Sequence, residues 1–290
     1  MMLLMVADAS TKARVQLPVV PRRKGKPGTS CFGLAAVVCL GILPACAATR
    51  ATGEPAELPQ ELVGFWRFDE GAGTTAADAS RYGNDGVLLG APPSVPGHIG
   101  GARLFDHVGA AVQVPPKAAL HSSRALTITG WLYANSLAPT RTNRGWSWHT
   151  ILTKGDASAT ATPGTTDHWE YSVFVTSAGA LNGAVTTVDQ VGKGPQYCPT
   201  ADGTIQVGRW QHFGVVVDGD AALTQVFVDG VLAARCAVDR SGIRETAGPL
   251  TIGADEVGSE YRWEGLLDEI RVYNRPLREA ELKALAGFSH

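Results

Sequence analysis

After residue 60 the chain is written in short alternations of apolar and polar residues separated by Gly and Pro. The clearest lies at Val226-Phe227-Val228-Asp229-Gly230-Val231-Leu232-Ala233-Ala234, where alternation runs into Asp-Gly and resumes beyond it. Two-residue hairpin turns need positive φ at both central positions, which Asp and Gly tolerate at least cost. This stretch therefore predicts a β-hairpin. Further strand patterns fall at Ala102–Phe105, Ala111–Val114, Leu126–Ala134, Thr150–Thr153 and Trp169–Val175. Others fall at Leu181–Val188, Trp210–Val217, Leu223–Val228, Val231–Ala237, Leu250–Ile252 and Gly265–Tyr273. Strands at this spacing, with no helical period between them, predict an all-β domain of two antiparallel sheets packed face to face. The tail breaks the rule. Leu277, Glu281, Leu282 and Leu285 have helical spacing, so Leu277–Ala286 predicts one short C-terminal helix.

Upstream the pattern changes. Arg22, Arg23, Lys24 and Lys26 precede a short apolar run, Cys31 to Leu43, and then small residues. The run is too short to span a bilayer as a helix, and its flanks are those of an export signal. Two readings of its end stand side by side. One is cleavage after the Ala-x-Ala pattern at Ala45-Cys46-Ala47. The other is a bacterial lipobox, Leu43-Pro44-Ala45-Cys46, which would leave Cys46 lipidated. Residues 1–48 are thus expected to be a signal peptide or lipoprotein signal. Residues 49–60, rich in Ala, Thr, Pro and Glu, read as a flexible linker, and 61–290 as the folded domain. The expected address is exported: periplasmic, cell-surface or secreted, with membrane contact only through an N-terminal lipid.

Composition narrows the picture modestly. The 290 residues are 44% hydrophobic, enough for a sizeable core, and the 34 Gly and 17 Pro suit many tight turns. A formal net charge of −2 with no basic stripe argues against a nucleic-acid partner. Two cysteines, Cys198 and Cys236, lie in the body of the chain. In an exported protein they most simply form a disulfide; two free thiols are the alternative.

Several segments, in order, resemble laminin-G-like jelly-roll domains of the concanavalin A-like lectin/glucanase superfamily. Phe65-Trp66-Arg67-Phe68-Asp69-Glu70-Gly71 is similar to their opening WxFDEGSG, and Asp78-x-Ser80-x-x-Gly83-Asn84-Asp85-Gly86 to their Asp/Asn/Gly loop, with Arg81-Tyr82 as a departure. Leu126–Trp131, Gly208–His212, Val226–Leu232, Leu250–Gly253 and Gly265–Arg275 continue the match, which covers about residues 62–286. The resemblance implies a two-sheet antiparallel jelly-roll sandwich. That fold hosts lectins, adhesion modules and glycan-cleaving enzymes alike.

Three kinds of chemistry remain to be weighed. Calcium takes six to eight oxygens. The Asp78–Gly86 loop offers Asp78, Asn84 and Asp85, and the resemblance adds a convex-face metal tied to Asp268, with Asp69 beside it. The plainer reading is that Asp78 and Asn84 brace turns. An aromatic-rich stretch, Trp146, Trp148, His149, His168, Trp169 and Tyr171, with Tyr197 further on, suits a carbohydrate site at the sandwich edge or concave face. Core packing is the competing reading, above all for Trp169. Catalysis has little to stand on. No Glu-x-Asp-x-x-Glu strand is present, the adjacent Asp268 and Glu269 are expected on opposite faces, and Glu170 is isolated. A lyase using His149, His168, Arg144 or Tyr171 would leave no motif. The expected function is therefore an exported, non-catalytic binding module for carbohydrate or a cell-surface protein, with a structural calcium. The alternative is a polysaccharide lyase or glycoside hydrolase of the same fold.

Overall fold

The computed structural model describes residues 58–139, 147–156 and 169–287. The expected export signal with Cys46, and the positions of Arg144, Trp146 and His168, lie outside the described residues. In chain order the first strands are β1 (Leu62–Trp66), β2 (Thr75–Ala76), β3 (Gly86–Leu89), β4 (Ser94–Pro96), β5 (Gly101–Phe105), β6 (Ala111–Val114), β7 (Ala125–Ala134) and β8 (Trp148–Gly155). They are followed by β9 (Trp169–Thr176), β10 (Leu181–Val185), β11 (Gln196–Pro199), β12 (Trp210–Asp218), β13 (Leu223–Val228), β14 (Val231–Ala237), β15 (Leu250–Ile252) and β16 (Gly265–Tyr273). The one α-helix among the described residues, α1 (Glu279–Ala286), closes the series.

The strands form two eight-stranded antiparallel sheets. One runs β14-β13-β12-β7-β16-β5-β4, with β1 also on β16; the other runs β11-β10-β9-β8-β15-β6-β3-β2. The chain crosses repeatedly from one sheet to the other, with β8–β11 consecutive in the second and β12–β14 in the first. The hairpin turn forms as its sequence demands: Val228 pairs with Val231, and Asp229 and Gly230 sit at φ 51° and 74°. Asp229 gains a second role, its carboxylate accepting from the His212 N–H at 2.8 Å.

Between the sheets lies one core, with Trp66, Phe105, Leu132, Tyr171, Phe213 and Trp263 among its largest members. The layers approach so closely at Gly183 that an added Cβ would lie 2.5 Å from Val215 on the opposite sheet. A second cluster covers the outer face of the first sheet. There Leu277 and Leu282 pack on Phe65, Val216, Phe227 and Tyr273. Helix α1 starts two residues later than its periodicity suggests, because Pro276 and Leu277 precede a capping box of Arg278 and Glu281.

One side of the sandwich is closed covalently. Cys198 on β11 is joined to Cys236 on β14, their Cα atoms 5.5 Å apart. β11 and β14 are the outermost strands of their sheets, so the bond ties edge to edge. No helix among the described residues is long and apolar enough to cross a membrane.

Candidate functional site

The outer face of the second sheet carries the candidate site. Register fixes what it presents. Tyr197 pairs with Ala184, Ala184 with Ser172, Ser172 with Thr153, Thr153 with Thr251, Thr251 with Gln113 and Gln113 with Val87. Directly paired residues point the same way, so this row crosses the sheet as a band of small and polar side chains. Aliphatic partners on the other parity, such as Val173 and Leu152, fill the core.

Over the middle of the band lies a small cleft of about 120 Å³, open to solvent. Its floor is Gln113, Thr153 and Thr251; its walls are Gly155 and Asp156 on one side and Asp255, Glu256 and Val257 on the other. The floor is braced, with Thr153 Oγ1 and Ser172 Oγ 2.8 Å apart. The Asp255 carboxylate accepts from the Trp169 indole N–H at 2.7 Å. Burial pushes the Asp255 carboxyl up to about 7, opposed by the bonds from Trp169 and Thr153 and reinforced by the charge of Glu256.

Trp169 leads from the cleft into an aromatic strip. Trp148 stacks on Tyr261 with ring centroids 4.4 Å apart and meets Trp169 edge-on at 6.1 Å. Phe174 contacts both tryptophans, and Tyr197 stands edge-on to Phe174 at 6.1 Å. Tyr197 is exposed, and Trp148 and Tyr261 are half-buried. Flat rings beside polar groups are what a sugar ring needs: CH faces stack, and hydroxyls find donors and acceptors.

The expected ligand residues divide sharply. Trp148 and Tyr197 reach this face. Tyr171 does not; it is 1% exposed in the inter-sheet core and donates its hydroxyl proton to the Leu120 carbonyl at 2.8 Å. His149 is also fully buried, paired with the core residue Val175, and burial lowers its pKa, keeping the ring neutral. Neither is positioned to touch a ligand or to serve as a lyase base. Simple alternation would put Trp169 and Tyr171 on one face, yet they belong to different clusters. A bulge at Lys154/Gly155, opposite Trp169, breaks the phase.

Glu170 is not isolated. Its Oε2 accepts from Lys154 Nζ at 2.8 Å and from the Thr246 N–H at 3.1 Å, and its Oε1 lies 2.7 Å from His121 Nδ1. Glu170 and Lys154 are almost wholly buried. This network ties β8 and β9 to the segment leading into β15, just beneath the cleft floor.

The expected calcium residues fall into two unlike groups. Asp78 spends both carboxylate oxygens on backbone and hydroxyl donors: Phe65 N–H and Ser80 N–H on Oδ1, Ser80 Oγ–H and Asn84 N–H on Oδ2. The Asn84 amide donates to the Val63 carbonyl. These two residues do the work of a braced turn, and that donor set does not fit a metal. Asp268 differs. Its Oδ2 accepts from Ile99 N–H, while Oδ1 is buried with no hydrogen-bond partner. Burial, with added charge from Glu269 and Asp69, pushes its carboxyl up to about 7. The loop 97–101 that holds Asp268 is also held by Asp69, whose Oδ1 accepts from Gly101 N–H at 2.8 Å. A buried carboxylate oxygen lacking a partner, with a second carboxylate adding to its burden, is a donor set that a divalent cation would satisfy. Among the described residues no group of three or more His, Cys, Asp or Glu side chains converges on one point, so carbonyls and water would complete the shell. Asp268 and Glu269 do not simply alternate: a bulge between Asp268 and Arg271 puts Glu269 at φ 55°, and both are buried.

The sequence profile of a laminin-G family, described as concanavalin A-like lectin/glucanases superfamily, matches residues 106–283. The chain belongs to that family. No curated protein matches the chain. Solved structures similar to this laminin-G domain include the binding domain of Paraclostridial Mosquitocidal Protein 1, at TM-score 0.59 and 14% identity over 78% of this chain and 52% of that one. Another is domain 4 of an extracellular arabinanase from Geobacillus stearothermophilus, in complex with arabinotriose. It has TM-score 0.50 and 17% identity over 78% of this chain and 98% of that one. A third is the CBM40 domain of the Ruminococcus gnavus IT-sialidase, bound to sialyllactose, at TM-score 0.50 and 15% identity over 64% and 96%. The laminin-G chain spans about half the length of the toxin domain. At these identities the likeness establishes the sandwich and nothing finer.

Proposed function

We propose that this domain is a non-catalytic binding module for carbohydrate, and that its site is the cleft and aromatic strip on the outer face of the second sheet. The observation that carries the reading is their adjacency: Trp169 bonds the cleft wall at Asp255 and packs into the strip with Trp148 and Phe174. Domains of similar fold solved with arabinotriose and sialyllactose support a glycan partner in general. The same proposal includes export, on the strength of the N-terminal sequence, and a structural calcium held by Asp268 and Asp69. Such an ion would neutralise the buried carboxylate and fix loop 97–101 against β16, with no part in ligand chemistry. The alternative is a polysaccharide lyase or hydrolase. It draws on Asp255, a carboxyl raised toward neutrality inside a cleft, which is the signature of a general acid.

Titration calorimetry of the purified protein against a panel of oligosaccharides tests the proposal. Binding is expected, and Tyr197→Ala or Trp148→Ala should weaken it about tenfold, the loss of one stacking contact. An empty panel, or binding indifferent to both substitutions, would overturn the site. New reducing ends or new double-bond absorbance, abolished by Asp255→Asn, would replace the binding module with the enzyme.

A further inference from the structure

The outer face of the first sheet holds a row of buried polar atoms that the chain leaves unanswered. Register puts His212 beside Trp131 and Trp131 beside Asp268, so the three side chains share that face. All three residues are buried, and Trp131 Nε1, His212 Nδ1 and Asp268 Oδ1 have no hydrogen-bond partner. Calcium, as proposed above, would satisfy Asp268 but neither of the others. The Trp131 indole N–H can only donate. His212 Nδ1 can only accept. Thr129 gives its one hydroxyl proton to the Phe213 carbonyl at 2.8 Å, so its oxygen, 2.8 Å from His212 Nε2, accepts the ring proton there. Burial, helped by the charges of Arg271 and His98, lowers the His212 pKa to about 3 and keeps the ring neutral, which leaves Nδ1 a bare lone pair. A cation cannot satisfy the indole donor, and an anion cannot satisfy the lone pair. A hydroxyl group satisfies both, accepting from the indole and donating to the imidazole.

The next row on the same face is apolar and half open. Trp210 pairs with Tyr133, Tyr133 with Leu266 and Leu266 with Leu104, and each of the four is half-buried. Trp210 meets Tyr133 edge-on with centroids 5.7 Å apart. His98, from loop 97–101, joins the two rows: its ring stacks on Trp131 at 3.6 Å and stands 6.0 Å from Trp210. An apolar shelf beside a buried donor and acceptor suits a sugar ring, with a CH face on the shelf and one hydroxyl turned inward. We propose that this is a second carbohydrate site, where a neutral sugar lies over Trp210 and Tyr133 and places one hydroxyl between the Trp131 indole and the His212 imidazole. The site is on the layer opposite the cleft and shares no residue with it, so either can stand without the other. A domain holding both would grip separate stretches of polymer and gain avidity from their linkage.

The test is calorimetry on the whole protein with neutral probes: cellotetraose, xylotetraose, mannotetraose and arabinotriose. A second binding event per chain is expected. Trp210→Ala should weaken that event about tenfold and spare the one that Trp148→Ala removes. A melting curve checks that the variant keeps its fold, and Tyr133→Ala serves as a second variant under the same check. Magnetic resonance of nitrogen-labelled protein adds a readout that needs no truncation. Bound sugar should shift the Trp131 indole N–H signal and slow its exchange with solvent. A trapped water already bridging the two atoms would leave that signal unmoved by sugar, and would overturn the inference. Binding lost with Trp148→Ala but indifferent to Trp210→Ala and Tyr133→Ala would also overturn it, while leaving the proposed function in place. Binding sensitive to Trp210→Ala alone would keep this site and remove the cleft. A protein that binds none of the four probes would bring down the inference and the proposed function together.

Discussion

The buried ion pair beneath the cleft gives the most demanding test of the structure. Glu170 holds Lys154, His121 and Thr246 at once, and with Lys154 it is sealed from water. Glu170→Gln keeps the shape and hydrogen-bonding capacity but strands the Lys154 ammonium among weaker acceptors, the Thr246 carbonyl at 3.2 Å and the Gly248 carbonyl at 3.5 Å. Leaving one charge of a buried pair unpaired costs about 3–5 kcal/mol. For a domain of this size that lowers the melting temperature by roughly 10 °C. Lys154→Met should cost a similar amount by stranding the carboxylate. The Lys154→Met/Glu170→Gln double variant strands neither charge, and should recover most of the loss. Urea melts of the four proteins give the coupling energy, expected at about 2 kcal/mol or more. Single costs that simply add, within about 0.5 kcal/mol, would refute the claim that the two residues form one interacting unit.

Asp255 has a folded pKa raised to about 7 from 3.8, so the native state holds a proton that the unfolded chain has released between those values. Its contribution to stability is therefore full at low pH and lost as pH rises toward 7. Asp255→Asn should flatten that part of the pH–stability curve, and parallel curves for the two proteins would contradict the burial of this carboxyl. Added calcium should raise the melting temperature of the wild-type protein, and EDTA lower it, with no response in Asp268→Asn; a wild-type protein indifferent to both would remove calcium from the proposal. Reducing the Cys198–Cys236 bond, which closes a 38-residue separation, should lower stability by about 4 kcal/mol in the loop-entropy account. Denaturant midpoints with and without reductant would show it, and coincident midpoints would count against it.

The fold was legible because most strands bury one face and so alternate. Leu223–Val228, Val231–Ala237 and Gly265–Tyr273 end where their patterns end. β11 was invisible: Gln196–Pro199 is short, ends in Pro and sits at an edge, so it has neither alternation nor β-branched content to announce it. β3, after the Gly-rich loop, was hidden for similar reasons. The site was much less legible. Gln113, Thr153 and Thr251 are ordinary polar residues on three separate strands, and only register brings them side by side. Tyr171 and His149 misled because residue type says nothing of which face a strand residue occupies, and the bulges at Thr150/Leu152 and Lys154/Gly155 reset the parity between them. Glu170 appeared alone because its partners lie 16, 49 and 76 positions away. A periodicity of two sees neighbours along one strand, not across a fold.

The placement of the two ends of the domain has its own outcome. Leu58 and Leu285 both pack against the cluster on the outer face of the first sheet. The cleft and the aromatic strip lie on the far side of the opposite layer. The first and last parts of the described domain thus lie on the layer opposite the cleft. If the cleft is the binding site proposed above, a tag or support coupled near Leu58 or Leu285 should leave it uncovered, so immobilised protein should bind as the free protein does.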